Sequence, residues 1–183
     1  MSKKIAFLVA HEGIEQVELT EPWRAVTEAG HEAVLVSPKS GAVQMFNHLD
    51  KADTKAVDKT VSDVSVEDFD ALVLPGGVAN PDALRADEGA VALVRDFVAS
   101  GRPVASICHA AWMLVEADVV SGRTLTSWPS VQTDVRNAGG EWVDERVVVD
   151  GNLITSRKPD DLPAFTSALM DALDHGAAAS APE

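Results

Sequence analysis

The 183-residue sequence contains one cysteine, no tyrosine and only 15 Lys and Arg residues against 29 Asp and Glu. One thiol cannot close an intramolecular disulfide, so the composition is typical of a reducing compartment and we expect a cytoplasmic protein. The net charge of −14 repels phosphate backbones and anionic lipid headgroups, which argues against nucleic-acid and membrane partners. Long hydrophobic runs are missing too: the apolar run at residues 5–10 is too short for a signal peptide or a membrane span.

Sequence motifs for metal and nucleotide binding are also missing. The five histidines show no HExxH or Cys/His ligand spacing, and neither GxGxxG nor GxxxxGK occurs. We therefore expect an activity that needs no metal ion and no other cofactor.

Apolar segments of strand length alternate with longer amphipathic segments, which predicts an α/β fold with a mainly parallel sheet between helices. The predicted strands are apolar throughout, as in strands buried on both faces, and lie at residues 4–10, 33–37, 71–74 and 103–107. No linker or repeat divides the chain. We predict a single domain over residues 1–174 and a disordered, low-complexity tail over residues 175–183.

Capping residues mark the ends of the predicted helices. Thr20 can cap a first helix that ends at Gly30, and Asp87 can cap a helix over residues 88–100. Further helices are predicted at residues 109–117, at residues 130–137 and from Pro159 onwards, the last with apolar Leu162, Phe165, Leu169 and Leu173.

Two other segments have a distinct character. Residues 147–155 place an Asp-Gly pair between apolar runs, which predicts a β-hairpin. Residues 40–62 are polar, and we expect them to form a long loop that covers the functional site.

The segment Val104-Ala105-Ser106-Ile107-Cys108-His109 joins a predicted buried strand to a predicted helix. A sharp turn of this kind, a nucleophile elbow, brings one side chain to the carboxyl edge of the sheet, where ligands bind in open α/β folds. There the helix dipole and free backbone N–H groups favour the thiolate, so we predict a lowered pKa for Cys108. The alternative is a small buried residue with no chemical role.

Further candidate residues lie near the same edge. His109 is either the base that takes the thiol proton or a structural residue. Glu15 and Glu18 follow the first strand; one that points at the thiol would be protonated and donate a hydrogen bond, while the others form a solvated acidic face. Gly76 and Gly77 end the third strand, where their N–H groups form either an oxyanion pocket or an ordinary turn.

Five stretches of the chain resemble the ThiJ/PfpI superfamily, which includes the Parkinsonism-associated deglycase and the PfpI intracellular cysteine peptidases. They are Glu15-Gln16-Val17-Glu18-Leu19, Phe69-Asp70-Ala71-Leu72-Val73-Leu74-Pro75-Gly76-Gly77, Val104-Ala105-Ser106-Ile107-Cys108-His109, Thr126-Ser127-Trp128-Pro129 and Glu141-Trp142-Val143-Asp144. The resemblance covers residues 3–173, and residues 76–82 are most similar to the YhbO-like general stress proteins. It implies a flavodoxin-like three-layer sandwich, similar to that of class I glutamine amidotransferases.

The resemblance also implies catalytic roles. Cys108 is the nucleophile, and Glu18 is the protonated carboxyl that touches its sulfur. In the peptidase branch, the histidine at the position of His109 pairs with an acid of the neighbouring subunit, at the position of Asp82 here. That acid is Glu in the peptidases, one methylene longer, so whether Asp82 completes a triad across a homo-oligomer stays open.

For substrate binding, the resemblance points to the same edge of the sheet. Gly77 supplies an oxyanion N–H from the turn that it forms with Gly76, together with the backbone of His109. Trp128 lies where the peptidases have an aromatic residue at the mouth of the pocket, and Glu15 is a further candidate.

Three functions fit these residues. The first is a cofactor-free cysteine enzyme of stress defence that acts on reactive small carbonyls such as methylglyoxal, as a glyoxalase or a deglycase. The second is a cysteine peptidase acting on peptides, and the third is a redox-sensing or chaperone stress protein without turnover. A glutamine amidotransferase domain is disfavoured, because the elbow lacks the Gly-x-Cys-x-Gly pattern and the one late histidine is His175.

Overall fold

The computed structural model describes residues 1–176 of the chain. The strands within these residues are, in chain order, β1 (Lys4–Leu8), β2 (Glu12–Glu15), β3 (Glu32–Ser37), β4 (Ala42–Asn47), β5 (Asp50–Ala56), β6 (Lys59–Thr60), β7 (Ala71–Leu74), β8 (Val104–Ile107), β9 (Thr124–Leu125), β10 (Glu141–Trp142), β11 (Val147–Asp150) and β12 (Leu153–Ser156). The α-helices are α1 (Gln16–Glu28), α2 (Ala79–Leu84), α3 (Glu88–Ser100), α4 (Ala111–Glu116), α5 (Gln132–Asn137) and α6 (Leu162–His175).

A seven-stranded sheet forms the centre of the molecule, with the strand order β11-β12-β8-β7-β1-β3-β6. All neighbouring strands in it are parallel except β11 and β12, which are antiparallel. Two small sheets stand beside it, one of β2, β4 and β5 and one of β9 and β10. The architecture confirms the predicted flavodoxin-like α/β sandwich with a mainly parallel sheet.

The two faces of the sheet contact different helices, which explains why its strands are apolar throughout. In β1, Ala6 and Leu8 pack on one side with residues of α3 and α4. Ile5 and Phe7 pack on the other side with residues of α1 and α6. The predicted apolar positions of the last helix are all buried there: Leu162, Phe165, Leu169 and Leu173. Burial on both sides leaves the carboxyl edge of the sheet as the place where polar groups can meet a ligand.

Helix boundaries follow the predicted caps in one case and differ in another. Asp87 caps α3, since its Oδ1 accepts a hydrogen bond from the Ala90 N–H at 2.8 Å. The predicted start of the first helix at Thr20 is wrong, because α1 already begins at Gln16. The earlier start follows directly from β2, and it places Glu18 in the first turn of the helix.

The β-hairpin predicted near residue 150 is confirmed by the pairing of β11 with β12, around a turn at Gly151 and Asn152. The loop predicted over residues 40–62 is wrong, because this segment forms β4, β5 and β6. Val43 and Met45 are buried while their neighbours are not, so the segment alternates with the period of a strand although few of its residues are apolar.

At the C-terminus, α6 extends to His175, so the prediction of a disordered tail is wrong for this residue. The rest of that prediction, residues 177–183, lies outside the described residues. Among residues 1–176, no helix has the length and apolar character needed to cross a bilayer.

Candidate active site

Cys108 follows directly after β8, at the start of a 3₁₀ turn that leads into α4. Its φ of 64° is in the left-handed region, which a non-glycine residue rarely adopts and which is common at functional sites. The Trp128 N–H donates to the Cys108 carbonyl oxygen at 3.2 Å and holds the turn in place. The predicted nucleophile elbow is therefore present, and Cys108 lines a cavity at the carboxyl edge of the sheet.

Gly76 and Gly77 form the turn after β7, packed directly against this elbow. A side chain on Gly76 would collide with the Cys108 Cβ and the Glu18 carboxyl. Gly77 has a φ of 84°, and a side chain there would meet the Gly13 carbonyl oxygen. The Gly77 N–H and the N–H of the residue after Cys108 reach the sulfur and act to lower the thiol pKa. These two donors have the arrangement of an oxyanion pocket.

Glu18 is completely buried in the first turn of α1, beside the thiol. Its Oε1 accepts a hydrogen bond from the Gly76 N–H at 3.1 Å. Burial, assisted by the charge of Glu15, raises the pKa of Glu18 from 4.5 to about 8. The carboxyl is therefore protonated at neutral pH, as the sequence predicted for an acid that points at the thiol.

The Cys108 thiol does not have the lowered pKa that the elbow alone predicted. Burial raises its pKa, and the charge of Glu18 acts in the same direction. The cause is the surroundings of the thiol: Cys108 is only 6% exposed, and the side chains whose charge raises its pKa are the carboxyls of Glu18 and Glu15. The Glu18 contribution is absent while Glu18 keeps its proton, so a neutral Glu18 favours formation of the thiolate.

His109 is in direct contact with Cys108, since its Nδ1 lies 3.3 Å from the Cys108 sulfur. Its ring stacks on Trp128, with centroids 5.6 Å apart, and meets the edge of Trp112 at 5.1 Å. Burial lowers the pKa of His109, so the imidazole is neutral at pH 7. A neutral imidazole at this distance can accept the thiol proton.

The acids Glu15 and Asp82 line the same cavity but make different contacts. Glu15 Oε2 accepts a hydrogen bond from the His48 N–H at 3.1 Å. Asp82 lies in α2 and makes no hydrogen bond with His109 within the described chain. A Cys–His–acid triad is thus not formed by one subunit, and a triad across subunits stays a prediction.

The cavity has a volume of about 620 Å³. The β4–β5 hairpin contributes to it Phe46 of β4 and, from its turn, His48 and Leu49. The hairpin thus takes the covering position that the sequence assigned to a loop. The full set of lining residues is Glu12, Gly13, Glu15, Glu18, Phe46, His48, Leu49, Gly77, Val78, Ala79, Asp82, Cys108, His109, Trp128 and Pro159. Seven of the residues predicted from the sequence therefore line one cavity: Glu15, Glu18, Gly77, Asp82, Cys108, His109 and Trp128. The eighth, Gly76, lies directly behind them.

Two residues of the site were not singled out from the sequence. Asn80 is buried and joins the end of β1 to the glycine turn: its Oδ1 accepts from the Ala10 N–H at 2.7 Å, and its Nδ2 donates to the carbonyls of Pro75 and Gly76 at 3.0 Å. Trp112 contacts His109 and is itself held by a hydrogen bond from its Nε1 to Asp134. A helical spacing of three from His109 is the one sequence signal that could have indicated Trp112.

The fold and the cysteine elbow together define a class, the flavodoxin-like α/β proteins with a cysteine nucleophile at the carboxyl edge of the sheet. Within that class, residues 3–172 match the model of the DJ-1/PfpI family, and the chain belongs to this family. The predicted resemblance to the ThiJ/PfpI superfamily is thereby confirmed.

The similarity of the chain to individual proteins agrees with this family assignment. The chain is 46% identical over 166 residues to Protein/nucleic acid deglycase 2 of Escherichia coli, covering 90% of this chain and 94% of that protein. It is 39% identical over 175 residues to General stress protein 18 of Bacillus subtilis, covering 95% and 99%. A solved structure from Anabaena variabilis, with DJ-1/ThiJ/PfpI-like and ferritin-like domains, matches with a TM-score of 0.90 at 34% identity, covering 96% of this chain and 49% of that one.

Proposed function

We propose that this protein is a cofactor-independent cysteine enzyme of stress defence that acts on reactive carbonyl compounds, as a glyoxalase or a deglycase. The observation that supports it most is that three groups with different chemical roles line one cavity. These are a strained Cys108, a neutral His109 with Nδ1 3.3 Å from the sulfur, and a buried Glu18 with a pKa of about 8. Together they supply a nucleophile, a base and an acid without a metal ion.

The first step is the addition of the thiol to an aldehyde. The Cys108 sulfur forms a bond to the carbonyl carbon, and the thiol proton moves to His109 Nδ1 as the C=O π bond breaks. The developing alkoxide is stabilised by the N–H groups of Gly77 and His109 and takes up a proton from the imidazole or from Glu18. The product is a neutral hemithioacetal.

With methylglyoxal, a proton then moves from the former aldehyde carbon to the neighbouring ketone carbon. The hemithioacetal hydroxyl loses its proton as its C=O bond forms, and the former ketone oxygen takes up one proton. The hemithioacetal becomes a lactoyl thioester, which water hydrolyses to lactate and free Cys108. The net reaction consumes one water and needs no external oxidant, because one carbon is oxidised while the other is reduced. With a hemiaminal adduct, the sulfur displaces the amine in the first step, and the repaired amine leaves with a proton.

The relatives support this proposal, since one is named a protein/nucleic acid deglycase and another a general stress protein. Its test is the consumption of methylglyoxal by protein treated with EDTA and free of glutathione. We expect lactate formation that EDTA does not affect and that Cys108→Ala abolishes. Turnover that persists in Cys108→Ala, or lactate formation that requires added metal or glutathione, would overturn the proposal.

A peptidase is the second candidate, favoured by the Cys108–His109 contact and by the two N–H groups that face the sulfur. The same assay series includes a peptide substrate. Peptide cleavage without methylglyoxal consumption, most strongly reduced in His109→Ala, would decide for the peptidase. If neither activity is found, a redox-sensing or chaperone role without turnover takes its place.

The proposal includes a homo-oligomer and a cytoplasmic location. A catalytic thiol must stay reduced, which fits a reducing compartment. Leu49, Val78 and Trp128 are exposed apolar residues that line the cavity, and we propose that a second copy of the chain packs beside them.

A further inference from the structure

The His109 ring has a polar partner for only one of its two nitrogens within the described chain. Its Nδ1 lies 3.3 Å from the Cys108 sulfur, and within residues 1–176 the other nitrogen, Nε2, makes no hydrogen bond. In nucleophile–base pairs the base is usually oriented by a third group, commonly an acid on its far nitrogen. Among the described residues no acid takes that place, so other contacts aim the imidazole at the thiol.

Two tryptophans supply these contacts. Trp128 stacks on the imidazole of His109, with ring centroids 5.6 Å apart and an angle of 22° between the rings. Trp112 meets the imidazole edge-on, with centroids 5.1 Å apart and an angle of 64°. Both centroid distances lie in the range in which aromatic rings attract one another. Contacts with two indoles restrict how the imidazole can turn away from the sulfur.

The two tryptophans differ in their relation to the cavity. Trp128 is one of its lining residues, so a substrate can touch it. Trp112 is not a lining residue; it is half-buried and packs against the hydrophobic core on the side of the sheet that α3 and α4 cover. A change at Trp112 therefore reaches the reaction through His109 and removes no substrate contact.

Asp134 fixes the indole of Trp112 from a neighbouring helix. The Trp112 Nε1–H donates to Asp134 Oδ2 at 3.0 Å, which links α4 to α5. A hydrogen bond to a carboxylate is stronger than one to a neutral acceptor, and it selects one of the orientations open to the indole ring. Asp134 is exposed, so its replacement removes this bond without opening a cavity in the core.

We propose that Trp112, held by Asp134, is a positioning residue that keeps His109 aimed at the Cys108 sulfur. The pair takes the place of an acid on the far nitrogen of the imidazole: Asp134 orients the indole, and the indole orients His109. Neither Trp112 nor Asp134 lines the cavity, so the pair raises kcat and leaves KM unchanged. The proposal rests on the role of His109 as the base for Cys108 in the proposed function.

The test is a set of single and double variants. Asp134→Ala and Trp112→Phe both remove the indole hydrogen bond, and we expect each to lower kcat for methylglyoxal about tenfold at an unchanged KM, because a misplaced base loses part of its contribution. Asp134→Asn keeps an acceptor oxygen for the indole N–H and should retain most of the wild-type kcat. Asp134→Ala added to Trp112→Phe should cause no further loss, since Asp134 acts through the indole.

Gln132→Ala is the matched control, because Gln132 lies in the same helix as Asp134 and its side chain hydrogen-bonds, within the described chain, only to Pro129 and Arg136. Its kcat should equal that of the wild type. A second readout needs no turnover: the rate at which iodoacetamide alkylates Cys108 at pH 7. This rate should fall severalfold in Asp134→Ala and in Trp112→Phe, because a misplaced imidazole takes up the thiol proton less readily.

The outcomes separate this proposal from the proposed function. Wild-type kcat and alkylation rate in a folded Asp134→Ala, an equal loss in Asp134→Asn, or additive losses in the double variant would overturn the positioning role. A wild-type protein that consumes no methylglyoxal would count against the proposed function, and the alkylation rates would then decide on Trp112 by themselves. A large loss in Asp82→Asn with none in Asp134→Ala would show that an acid of the neighbouring subunit orients the imidazole instead.

Discussion

Glu18 is a carboxyl that the fold keeps neutral next to the Cys108 thiol. It is fully buried, Glu15 is nearby, and its pKa is raised from 4.5 to about 8. In its neutral form it can donate a hydrogen bond to a Cys108 thiolate, whereas its ionised form raises the pKa of that thiol. The protonation state of Glu18 therefore controls how readily the sulfur becomes a nucleophile.

The same raised pKa predicts how the stability of the protein depends on pH. The unfolded chain loses the Glu18 proton near pH 4.5, and the folded chain keeps it until about pH 8. Between these values the folded state binds one proton more, so this group lowers the free energy of unfolding by about 1.4 kcal/mol for each pH unit. Glu18→Gln cannot titrate, and we expect its stability relative to wild type to increase through this window.

The measurement is denaturant unfolding of wild type and Glu18→Gln at several pH values from 5 to 9. The difference between the two should grow up to about pH 8 and then level off. Glu28→Gln removes an exposed carboxyl from the same helix and should show a difference independent of pH. Parallel pH profiles for wild type and Glu18→Gln would show that Glu18 is ionised in the folded protein.

At the scale of elements, the site depends on how the end of β1, the glycine turn and α2 are joined. Asn80, in α2, makes three buried hydrogen bonds that connect these parts. A side chain on Gly13, in β2, would collide with Ala79 and the Asn80 backbone, so α2 packs directly on β2. The orientation of the Gly77 N–H is therefore set by α2 as well as by its own turn.

Replacing Asn80 should weaken both stability and activity. Asn80→Ala leaves the Ala10 N–H and the Pro75 carbonyl without partners, at about 1–3 kcal/mol for each buried group left unpaired. The Gly76 carbonyl keeps only its 3.4 Å hydrogen bond from the Glu15 N–H. Asn80→Asp keeps the acceptor for Ala10 and loses the two donors. We expect Asn80→Asp to fold and to lose about 10- to 100-fold in kcat, because the oxyanion donors move.

Steady-state kinetics of Asn80→Asp, with denaturant unfolding as the check on folding, provide the measurement. Asp82→Asn, in the same short helix, is the control. It removes a charge at the cavity wall and leaves the three hydrogen bonds of Asn80 in place. A folded Asn80→Asp with wild-type kcat would show that the glycine turn holds its geometry without Asn80.

The sequence predicted the elements whose residues are apolar where the fold buries them. The strands β1, β3, β7 and β8 are apolar because both faces of the sheet are covered, and their carboxyl ends placed Cys108 and the glycine turn at one edge. The hairpin of β4 and β5 was missed because most of its outward residues are polar, so Val43 and Met45 alone show its period. Helix α2 was missed because Asn80-Pro81-Asp82 has the composition of a turn.

The electrostatics of the site could be predicted only in part. The desolvation argument predicted that an acid facing the thiol is neutral, and the family resemblance assigned that position to Glu18, whose pKa is raised to about 8. The raised pKa of Cys108 was not foreseen, because helix dipole and N–H groups are visible in a local motif whereas burial is a property of the assembled fold. Sequence patterns thus predicted the positions of the reactive residues more reliably than their pKa values.

For the whole molecule, exposed apolar surface and net charge act in opposite directions on assembly. Among the described residues, the large apolar side chains that stand exposed are Met1, Leu49, Val78, Trp128 and Val149, and three of them line the cavity. Leu49, at the tip of the β4–β5 hairpin, is 94% exposed. Such a cluster favours association with a second copy. Two copies, each with a net charge of −14, repel one another, and dissolved salt screens this repulsion.

We therefore expect the protein to form a dimer or larger homo-oligomer at micromolar concentration, and the oligomer fraction to increase with ionic strength because screening weakens the repulsion. Leu49→Glu should shift the population towards the 19.3 kDa monomer, since it places a charge in the apolar cluster. Val149→Glu, a matched change at an exposed apolar residue of β11 outside the cavity, should leave the population unchanged. Sedimentation velocity at two salt concentrations measures all three proteins. A wild-type monomer at both salt concentrations would exclude self-association, and equal effects of the two substitutions would place the interface elsewhere.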